Sequence, residues 1–463
     1  MGLCKFRFVH YVAFAAILIF ASANLRAQGN VGTGSNAGAG VVVDAQGVLR
    51  MQRYQDPTGA LMRQRQQNAY AGLKPELRKP SKLRKVSLNR LEKAVAEAAA
   101  TGGNISHEMK YLAGMTRIEY VFFYPESNDI VIAGPAEGYV SDLSGRAVGI
   151  TTGRAVLELE DLIVALRAFA PETKGTNYVG VSIDPTQEGL KRMQQFLSSF
   201  GSRATPGDTN TIIRNLREAL GQQIVTVKGI SPKTHFAQVL VEADYRMKLI
   251  GIGLERPTAE IPSYVANTSP GSVSRNAMQR WYFTPNYDCV KVSEDSLAMQ
   301  LIGDGVKLVG ENEMVTQAGG RVQSNTTSRA SRLFTTAFTK KYGELSKYTP
   351  VYAQMRNLID MLIVSAYIHE QDMYAQSDWD LGIFADEEGY PVENFVAPER
   401  VETAVNAVWK GRTLMTPIGG GVSIRPKEAL SSDNITVEED GKLAETHQGV
   451  SLDKLAPGQW WWD

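Results

Sequence analysis

The chain has 463 residues, 43% hydrophobic and 21% charged, and its 49 basic side chains equal its 49 acidic ones. This composition excludes wholesale disorder, because it supplies enough apolar material for real cores. At this length we expect two or three domains.

The N-terminus has the pattern of an export signal. Lys5 and Arg7 precede an apolar run over residues 9–20, and small residues follow at cleavage sites ending in Ala23 or Ala27. The run is shorter than the roughly 20 residues of a membrane-spanning helix. We therefore expect an exported protein of the periplasm or cell surface, with no membrane span in the mature chain. The alternative is a signal retained as an anchor.

The two ends of the mature chain are oppositely charged. A glycine-rich leader, residues 29–40, precedes a predicted hairpin at 41–51. Residues 50–93 hold twelve Lys or Arg against three acids, whereas residues 370–463 hold 18 acids against seven bases. This difference predicts attraction between the ends, within one molecule or between two. Nucleic acid is not an expected partner, because the basic run has few aromatic residues.

Strands alternate with helices over residues 81–256, which indicates a layered arrangement. Asp184, followed by Pro185, is interpreted as a helix N-cap rather than as a catalytic carboxylate. The predicted elements are a helix capped by Ser87, a hairpin of strands 116–124 and 129–133, a strand region at 147–156, a helix at 158–170, a strand at 178–183, the helix opened by Asp184, a helix at 211–220 and a strand at 223–228.

Residues 234–256 predict the helix around which the rest of the chain is organised. Gly251 and Gly253 are expected to end this helix. At 100° per residue, one face collects the apolar side chains of Phe236, Val239, Leu240, Ala243, Met247 and Ile250.

The polar side of this predicted helix carries two acid-to-base pairs, each four residues apart in the favourable order. We interpret these charges as a solvated helix face, and the alternative is a functional surface. The candidate catalytic residues on that surface are Glu242, Asp244, Tyr245 and Arg246, and Lys248 completes the second pair.

Residues 257–278 are polar and rich in proline, as in a linker or a long surface loop. Helices at 328–342 and 350–370 are predicted further along the chain. The second is apolar on most of its surface, so it belongs in a core or mediates self-association or contact with a protein partner. Between the linker and these helices, strands at 280–284, 287–292, 296–302 and 306–309 predict an antiparallel β-meander.

The C-terminal part is rich in loops, with a helix predicted at 399–409. It ends in Trp460, Trp461 and Trp462, which form either a docking tag or a segment that packs into a groove.

We therefore predict an α+β or mixed α/β fold: a layered domain of alternating strands and helices, then an antiparallel β-meander with two long helices and a loop-rich tail. The predicted boundaries are a signal peptide at 1–27, a glycine-rich and then basic leader at 28–80, a mixed α/β domain at 81–256, a linker or long loop at 257–278, the meander with its helices at 279–420, and a polar acidic tail at 421–463.

Familiar catalytic and metal-binding motifs are missing from the sequence. It contains no G-x-S-x-G, H-E-x-x-H or P-loop motif, and its S-x-x-K, Ser451 to Lys454, lies in the polar tail. Cys289 has no partner cysteine in the mature chain, and its strand pattern predicts a buried, inert thiol. Residues 378–382 resemble the start of a calcium loop, but Ile383 stands where that loop needs glycine. We expect no metal and no cofactor.

Three sequence blocks look familiar together. They are V-E-A-D-Y-R-M-K-L-I-G at 241–251, V-S-E-D-S-L-A-M-Q-L-I-G-D-G-V-K-L-V-G at 292–310 and P-V-Y-A-Q-M-R-N-L-I-D at 350–360. With the export signal, they resemble a family of exported proteins from planctomycete bacteria that is known only as a domain of unknown function. The resemblance extends over residues 80–420. It implies a bacterial origin and an exported location, but no reaction, ligand or catalytic residue.

These features favour a non-enzymatic binding or assembly module of the periplasm or cell surface. The hypothesis rests on the export signal, the missing motifs, the oppositely charged ends and the apolar helix at 350–370. The alternative is a hydrolase whose carboxylate-based site no motif reveals, centred on residues 242–246.

Overall fold

The structure, a computed structural model, combines helices with two large mixed sheets, which confirms the predicted α+β class. It describes residues 40–52, 54–200, 205–268, 277–315, 321–324, 328–392, 394–406, 408–410, 413–415, 419–449, 452 and 455–463. These residues all belong to one compact unit. The predicted export signal, the glycine-rich leader before Gly40, and the S-x-x-K residues Ser451 and Lys454 lie outside the described residues.

Side-chain caps begin many of the helices. Ser87, Ser106, Thr234, Ser263 and Ser328 each accept a hydrogen bond from the backbone N–H three residues further on. The α-helices of the described residues are α1 Ala60–Gly72, α2 Pro75–Arg78, α3 Leu88–Ala100, α4 His107–Lys110, α5 Leu159–Arg167, α6 Gln187–Phe200, α7 Thr209–Leu220, α8 His235–Gly251, α9 Tyr264–Asn267, α10 Arg329–Lys340, α11 Tyr342–Tyr348, α12 Pro350–Glu370, α13 Met373–Gln376 and α14 Lys442–Gln448.

The strands are short and come from all parts of the described chain. They are β1 Val41–Val43, β2 Val48–Met51, β3 Ser81–Ser87, β4 Tyr120–Tyr124, β5 Asp129–Ala136, β6 Tyr139–Ser141, β7 Ala147–Gly149, β8 Val179–Asp184, β9 Gln222–Lys228, β10 Ala277–Pro285, β11 Val290–Val292, β12 Ala298–Leu301, β13 Val306–Val315, β14 Arg321–Ser324, β15 Arg400–Glu402, β16 Val408–Lys410, β17 Thr413–Met415, β18 Gly420–Ile424, β19 Ile435–Val437 and β20 Trp461–Trp462.

Each large sheet combines strands from regions that the sequence analysis assigned to separate domains. The larger sheet has the order β1-β2-β15-β9-β8-β18-β10-β13-β14, and the second has the order β19-β11-β12-β4-β5-β3-β20. The strands predicted as one β-meander divide between them, since β10 pairs with β13 and β11 pairs with β12. The chain crosses between the sheets near Gly303 and Gly305, both of which have positive φ.

Two buried helices fill the space beside the sheets. Helix α8 packs on β8 and β18 of the larger sheet, and α12 packs on both α8 and α5. Every side chain of α12 from Val351 to Ile368 is buried within this chain. The apolar surface that suggested self-association through residues 350–370 is therefore already covered, and the helix belongs to the core. No helix of the described residues is both long and apolar enough to cross a membrane.

Two local predictions are wrong. The described residues of the range 399–409 do not form the predicted helix, because Arg400–Glu402 pairs with β9 and with β2. Asp184 is not an N-cap, because β8 extends through it and its carboxylate lies 3.4 Å from Arg280 Nη2. The helix begins at Gln187, where Thr186 Oγ1 accepts a hydrogen bond from the Gly189 N–H at 3.0 Å.

The C-terminal tryptophans pack at the edge of the second sheet, where Trp461 and Trp462 form its last strand. Strand β20 pairs with β3, and Trp460 is buried. The fully buried Arg84 stacks 4.6 Å from the Trp461 ring and donates to both Asp463 carboxylate oxygens at 2.8 and 3.0 Å. A second ion pair, between Arg50 and Glu402, also joins the basic segment to the acidic one. The oppositely charged ends therefore meet within one molecule.

Candidate functional site

The charged side of α8 is buried, contrary to its interpretation as a solvated face. Glu242 and Asp244 have no exposed surface, and Lys248 is 7% exposed. Both predicted pairs form: Arg246 Nη1 lies 3.5 Å from Glu242 Oε1, and Lys248 Nζ lies 2.9 Å from Asp244 Oδ2. Buried charges require further partners, and the two pairs find theirs in different parts of the chain.

Glu242 lies at the centre of an arginine network. Its Oε2 accepts a hydrogen bond from Nη2 of Arg146, a buried residue in the turn between β6 and β7. Asp142 shapes this turn, since its Oδ1 accepts the backbone N–H groups of Ser144 and Arg146 at 2.7 and 3.1 Å. Arg146 Nε donates to Oε1 of Gln354, on α12, at 2.7 Å. Both carboxylate oxygens of Glu242 are thus bound by arginines.

Arg246 also binds a second carboxylate, that of Glu255. Its Nε and Nη2 both donate to Oε1 of Glu255, at 2.9 and 2.6 Å. Burial opposes the charged form of Arg246, but the hydrogen bond and charge of Glu255 raise the pKa of its guanidinium. Glu255 follows the end of α8, where Gly253 has a φ of 75°. The Glu255 backbone N–H donates to the Leu249 carbonyl at 3.1 Å, which fixes the turn.

A cleft of about 610 Å³ opens beside this network. Arg146, Arg246 and Glu255 line one end, with Arg256 exposed at the rim. Gly40 also lines the cleft. It lies so close to Glu242 that a Cβ there would be 2.9 Å from Glu242 Oε1. The apolar side chains that line the cleft include Met51, Met62, Val148, Leu249, Leu254 and Pro350.

The network continues away from the cleft to a buried histidine. His235, the first residue of α8, lies 2.9 Å from Asp161 Oδ2 through Nδ1, and 4.0 Å from Glu158 Oε1 through Nε2. Burial opposes the imidazolium, but the two carboxylates raise the pKa of His235 to about 10. Gln354 Nε2 lies 3.5 Å from His235 Nε2, which is too long for a strong hydrogen bond. His235 therefore serves as a charged link between α5 and α8.

Asp244 and Lys248 face the larger sheet, on the opposite side of α8, because two helical residues turn a side chain by about 200°. Lys248 Nζ donates to Asp244 Oδ2 and to the carbonyls of Ile183 and Gly420, so its three N–H groups are all used. Burial raises the pKa of the Asp244 carboxyl to about 6 and lowers the pKa of Lys248. A Cβ at Gly420 would lie 2.1 Å from the Trp281 carbonyl oxygen, so the strand around Gly420 leaves no room for another group beside Lys248.

Of the four candidate residues, the structure brings only Arg246 to the lining of the cleft, and Glu242 lies fully buried beside it. Asp244 lies across the helix from them. The Tyr245 hydroxyl lies 3.4 Å from the Glu402 carbonyl oxygen, at the limit of a hydrogen bond. The candidates therefore do not converge on one reacting position.

Three residues of the site were missed by sequence reasoning. Glu255 stands nine residues after Arg246, and an acid just beyond a predicted helix end was the available signal. Arg146 lies 96 residues before Glu242, and no local spacing connects them. Gln354 was hidden within a helix interpreted as apolar.

The sequence also singled out Cys289 and possible metal ligands. Cys289 is 2% exposed, which confirms that the thiol is buried, and burial raises its pKa to about 12. Over the part of the chain that the structure describes, no group of three or more His, Cys, Asp or Glu side chains is placed to hold a metal ion.

Fold and site together define an α+β protein with a cleft, lined by apolar side chains and arginines, beside a buried charged helix. Residues 181–264 match the model of a family described as a protein of unknown function, DUF1598. The match begins inside β8, ends at Tyr264 and includes all of α8, so it contains Arg246 and Glu255 and the first of the three familiar blocks. No curated protein and no solved structure was found to match the chain.

Proposed function

We propose that this protein is an exported, non-enzymatic binding module whose cleft takes a small ligand with an apolar body and an anionic group. One observation carries the proposal: apolar side chains line the cleft together with Arg146 and Arg246, while the carboxylates of Glu242 and Glu255 beside them are already bound by arginines. Its volume, about 610 Å³, falls within the roughly 300–1,000 Å³ of small-molecule sites.

The same contacts argue against a hydrolase. A general base needs a carboxylate that is free to accept a proton within reach of the substrate. Glu242 is fully buried with both oxygens bound, and Glu255 accepts two N–H groups of Arg246. Asp244 has a raised pKa but lies on the closed side of α8.

Export and a bacterial, planctomycete origin are part of this proposal. Export is supported by the basic start, the short apolar run and the small residues at Ala23 and Ala27, and the origin is supported by the resemblance of the three sequence blocks. N-terminal sequencing of the protein recovered from outside the cytoplasm is expected to begin at Asn24 or Gln28. An intact N-terminus in the cytoplasmic fraction would overturn export.

The dye anilinonaphthalene sulfonate tests the cleft, since it joins an apolar body to an anionic group. We expect saturable fluorescence with one site per chain. Leu254→Ser, in the cleft, is expected to weaken binding about tenfold, as the loss of an aliphatic surface that the bound dye would cover implies. Leu333→Ser is the matched control, because Leu333 is 45% exposed on α10 and Leu254 is 44% exposed.

Equal dye binding by both variants would place the dye elsewhere and contradict the proposal. Absence of saturable binding by the wild-type chain would also contradict it. Turnover of ester or peptide substrates that is lost in Glu242→Gln, with the fold intact, would favour the hydrolase instead.

A further inference from the structure

The Glu255 carboxylate occupies the place in the cleft where an anionic ligand group would meet Arg246. It comes from the turn after α8, whose backbone is held by hydrogen bonds from the Leu254 and Glu255 N–H groups to the Leu249 carbonyl at 2.8 and 3.1 Å. The backbone is fixed, so the carboxylate can leave Arg246 by rotation of the Glu255 side chain alone. That side chain is 17% exposed, at the edge of the cleft.

The Glu255 contact is also incomplete as an arginine–carboxylate pair. Both Arg246 N–H groups donate to the single oxygen Oε1, whereas the strongest pairs use two parallel bonds to two oxygens. The third donor, Nη1, reaches Glu242 at 3.5 Å, which is a long contact. A free carboxylate entering the cleft has no backbone tether and can adopt the two-oxygen geometry that Glu255 does not.

The surroundings specify the rest of such a ligand. Leu249, Leu254 and Pro350 line the cleft next to Arg246 and offer an apolar surface. Arg256 at the rim adds a second positive charge, while Arg146 is already committed to Glu242 and Gln354. A small apolar acid matches this arrangement better than a sugar or a dication.

We propose that the cleft binds small molecules with an apolar body ending in a carboxylate, and that Glu255 is a built-in substitute that the ligand carboxylate displaces from Arg246. This inference rests on the proposed binding function and names both the ligand class and the residue that limits its affinity. In the free protein Glu255 neutralises Arg246; in the complex the ligand does so and Glu255 turns to solvent.

The exchange has a measurable consequence. Ligand binding to the wild-type chain must break the Glu255–Arg246 contact. The measured affinity therefore reflects only how much more strongly Arg246 binds the ligand carboxylate than the Glu255 carboxylate. Glu255→Gln removes the competing charge and leaves Arg246 without a full counter-ion. We expect octanoate to bind Glu255→Gln about tenfold more tightly than wild type, measured by isothermal titration calorimetry on the full mature chain.

Two controls separate charge competition from general effects. Glu260→Gln removes a charge from an exposed position on the same segment and is expected to leave octanoate affinity unchanged. Octanol has the same apolar body without the carboxylate, and its binding is expected to be equal in wild type and Glu255→Gln. Thermal unfolding gives an independent readout: Glu255→Gln is expected to melt lower than wild type without ligand and to gain more from octanoate.

If Glu255→Gln does not fold, Glu255→Asp replaces it, since the shorter side chain weakens the contact and is expected to raise octanoate affinity by a smaller factor. A second experiment uses acetyl-leucyl-leucine and its amide, and it distinguishes a peptide carboxylate from an aliphatic acid. Tighter binding of the peptide acid than of octanoate would assign the ligand to peptides.

Equal octanoate affinity in wild type and Glu255→Gln would overturn displacement while leaving the binding function intact. Failure of octanoate, the peptide acid and the sulfonate dye to bind any variant would instead remove the proposed function itself.

Discussion

The two acid–base pairs of α8 have the same spacing and opposite surroundings. Arg246 lines an open cleft and donates to Glu255, in the turn after the helix, while the buried Glu242 accepts from Arg146, in the β6–β7 turn. Asp244 and Lys248 face the larger sheet, where Lys248 is held by backbone carbonyls of two strands.

This difference separates a site that can change partners from one that cannot. Side-chain partners rotate, so the network around Arg246 can accept a ligand in place of one of its carboxylates. Backbone carbonyls are fixed by the sheet, and Gly420 approaches Lys248 so closely that a Cβ there would lie 2.8 Å from Lys248 Cε. The Asp244–Lys248 pair is therefore closed, held in one arrangement by the sheet, whereas the Glu242–Arg246 pair is open, because its partners are side chains that can rotate.

The largest effect is expected from Glu242→Gln. This change leaves Arg146 without its carboxylate, in a site where Arg146 is 4% exposed. Breaking one partner of a buried pair costs about 3–5 kcal/mol, so we expect a loss of that size in the free energy of unfolding, measured by urea denaturation. Glu260→Gln, at an exposed position, is the control and is expected to change stability by less than about 0.5 kcal/mol.

A double variant sharpens this test. Arg146→Met with Glu242→Leu removes both charges and replaces them with apolar side chains, so it is expected to recover most of the stability lost in Glu242→Gln. A loss below about 1 kcal/mol in Glu242→Gln would show that water reaches the pair, as it reaches surface ion pairs.

An intermediate effect is expected in the pH dependence of stability at the buried Asp244–Lys248 pair. Burial raises the pKa of Asp244 to about 6 from its ordinary 3.8, so the folded chain holds this proton more tightly than the unfolded chain. The contribution of this bound proton to the free energy of unfolding is fully present below about pH 4 and is lost as pH rises through about 6. Asp244→Asn lacks this titration.

We therefore expect the free energy of unfolding of the wild type, relative to Asp244→Asn, to fall by about 1–3 kcal/mol between roughly pH 4 and pH 7. Urea denaturation across this range measures the difference. A difference that instead grows in favour of wild type as pH rises would mean that the ion pair with Lys248 outweighs the cost of burying the Asp244 charge.

Both pairs were predicted from the sequence, because the geometry of a helix fixes which residues four positions apart meet. The sequence also predicted where α8 begins, since Thr234 accepts the Ala237 N–H as a cap, and that Gly251 and Gly253 mark its end. These features depend on near neighbours in the chain and need no knowledge of the fold.

What the sequence did not predict was that the charges are buried, and on which side a cleft opens. That depends on Arg146 and Gln354, which are 208 residues apart and meet only when the β6–β7 turn packs on α12. The prediction of a single β-meander failed for the same reason: strand spacing indicates which segments are extended, but β12 pairs with β4 and not with β13 because of tertiary packing.

The smallest effect is expected from Gly40→Ala, at the edge of the cleft. A Cβ at Gly40 would lie 2.9 Å from Glu242 Oε1 and 3.2 Å from Arg146 Nη1, which are the ends of side chains and not backbone. Because these ends border the cleft, they can shift by a few tenths of an ångström, and we expect Gly40→Ala to cost about 1 kcal/mol.

Gly72→Ala is the matched control, since Gly72 lies in α1 and an added methyl group there would have no neighbouring atom within 4 Å. This control is expected to be neutral or slightly stabilising. Urea denaturation compares the two variants. A cost above about 3 kcal/mol for Gly40→Ala would mean that Glu242 and Arg146 cannot move. The cleft side of α8 would then be as rigid as the sheet side, and displacement of Glu255 from the adjoining Arg246 would lose the freedom on which it depends.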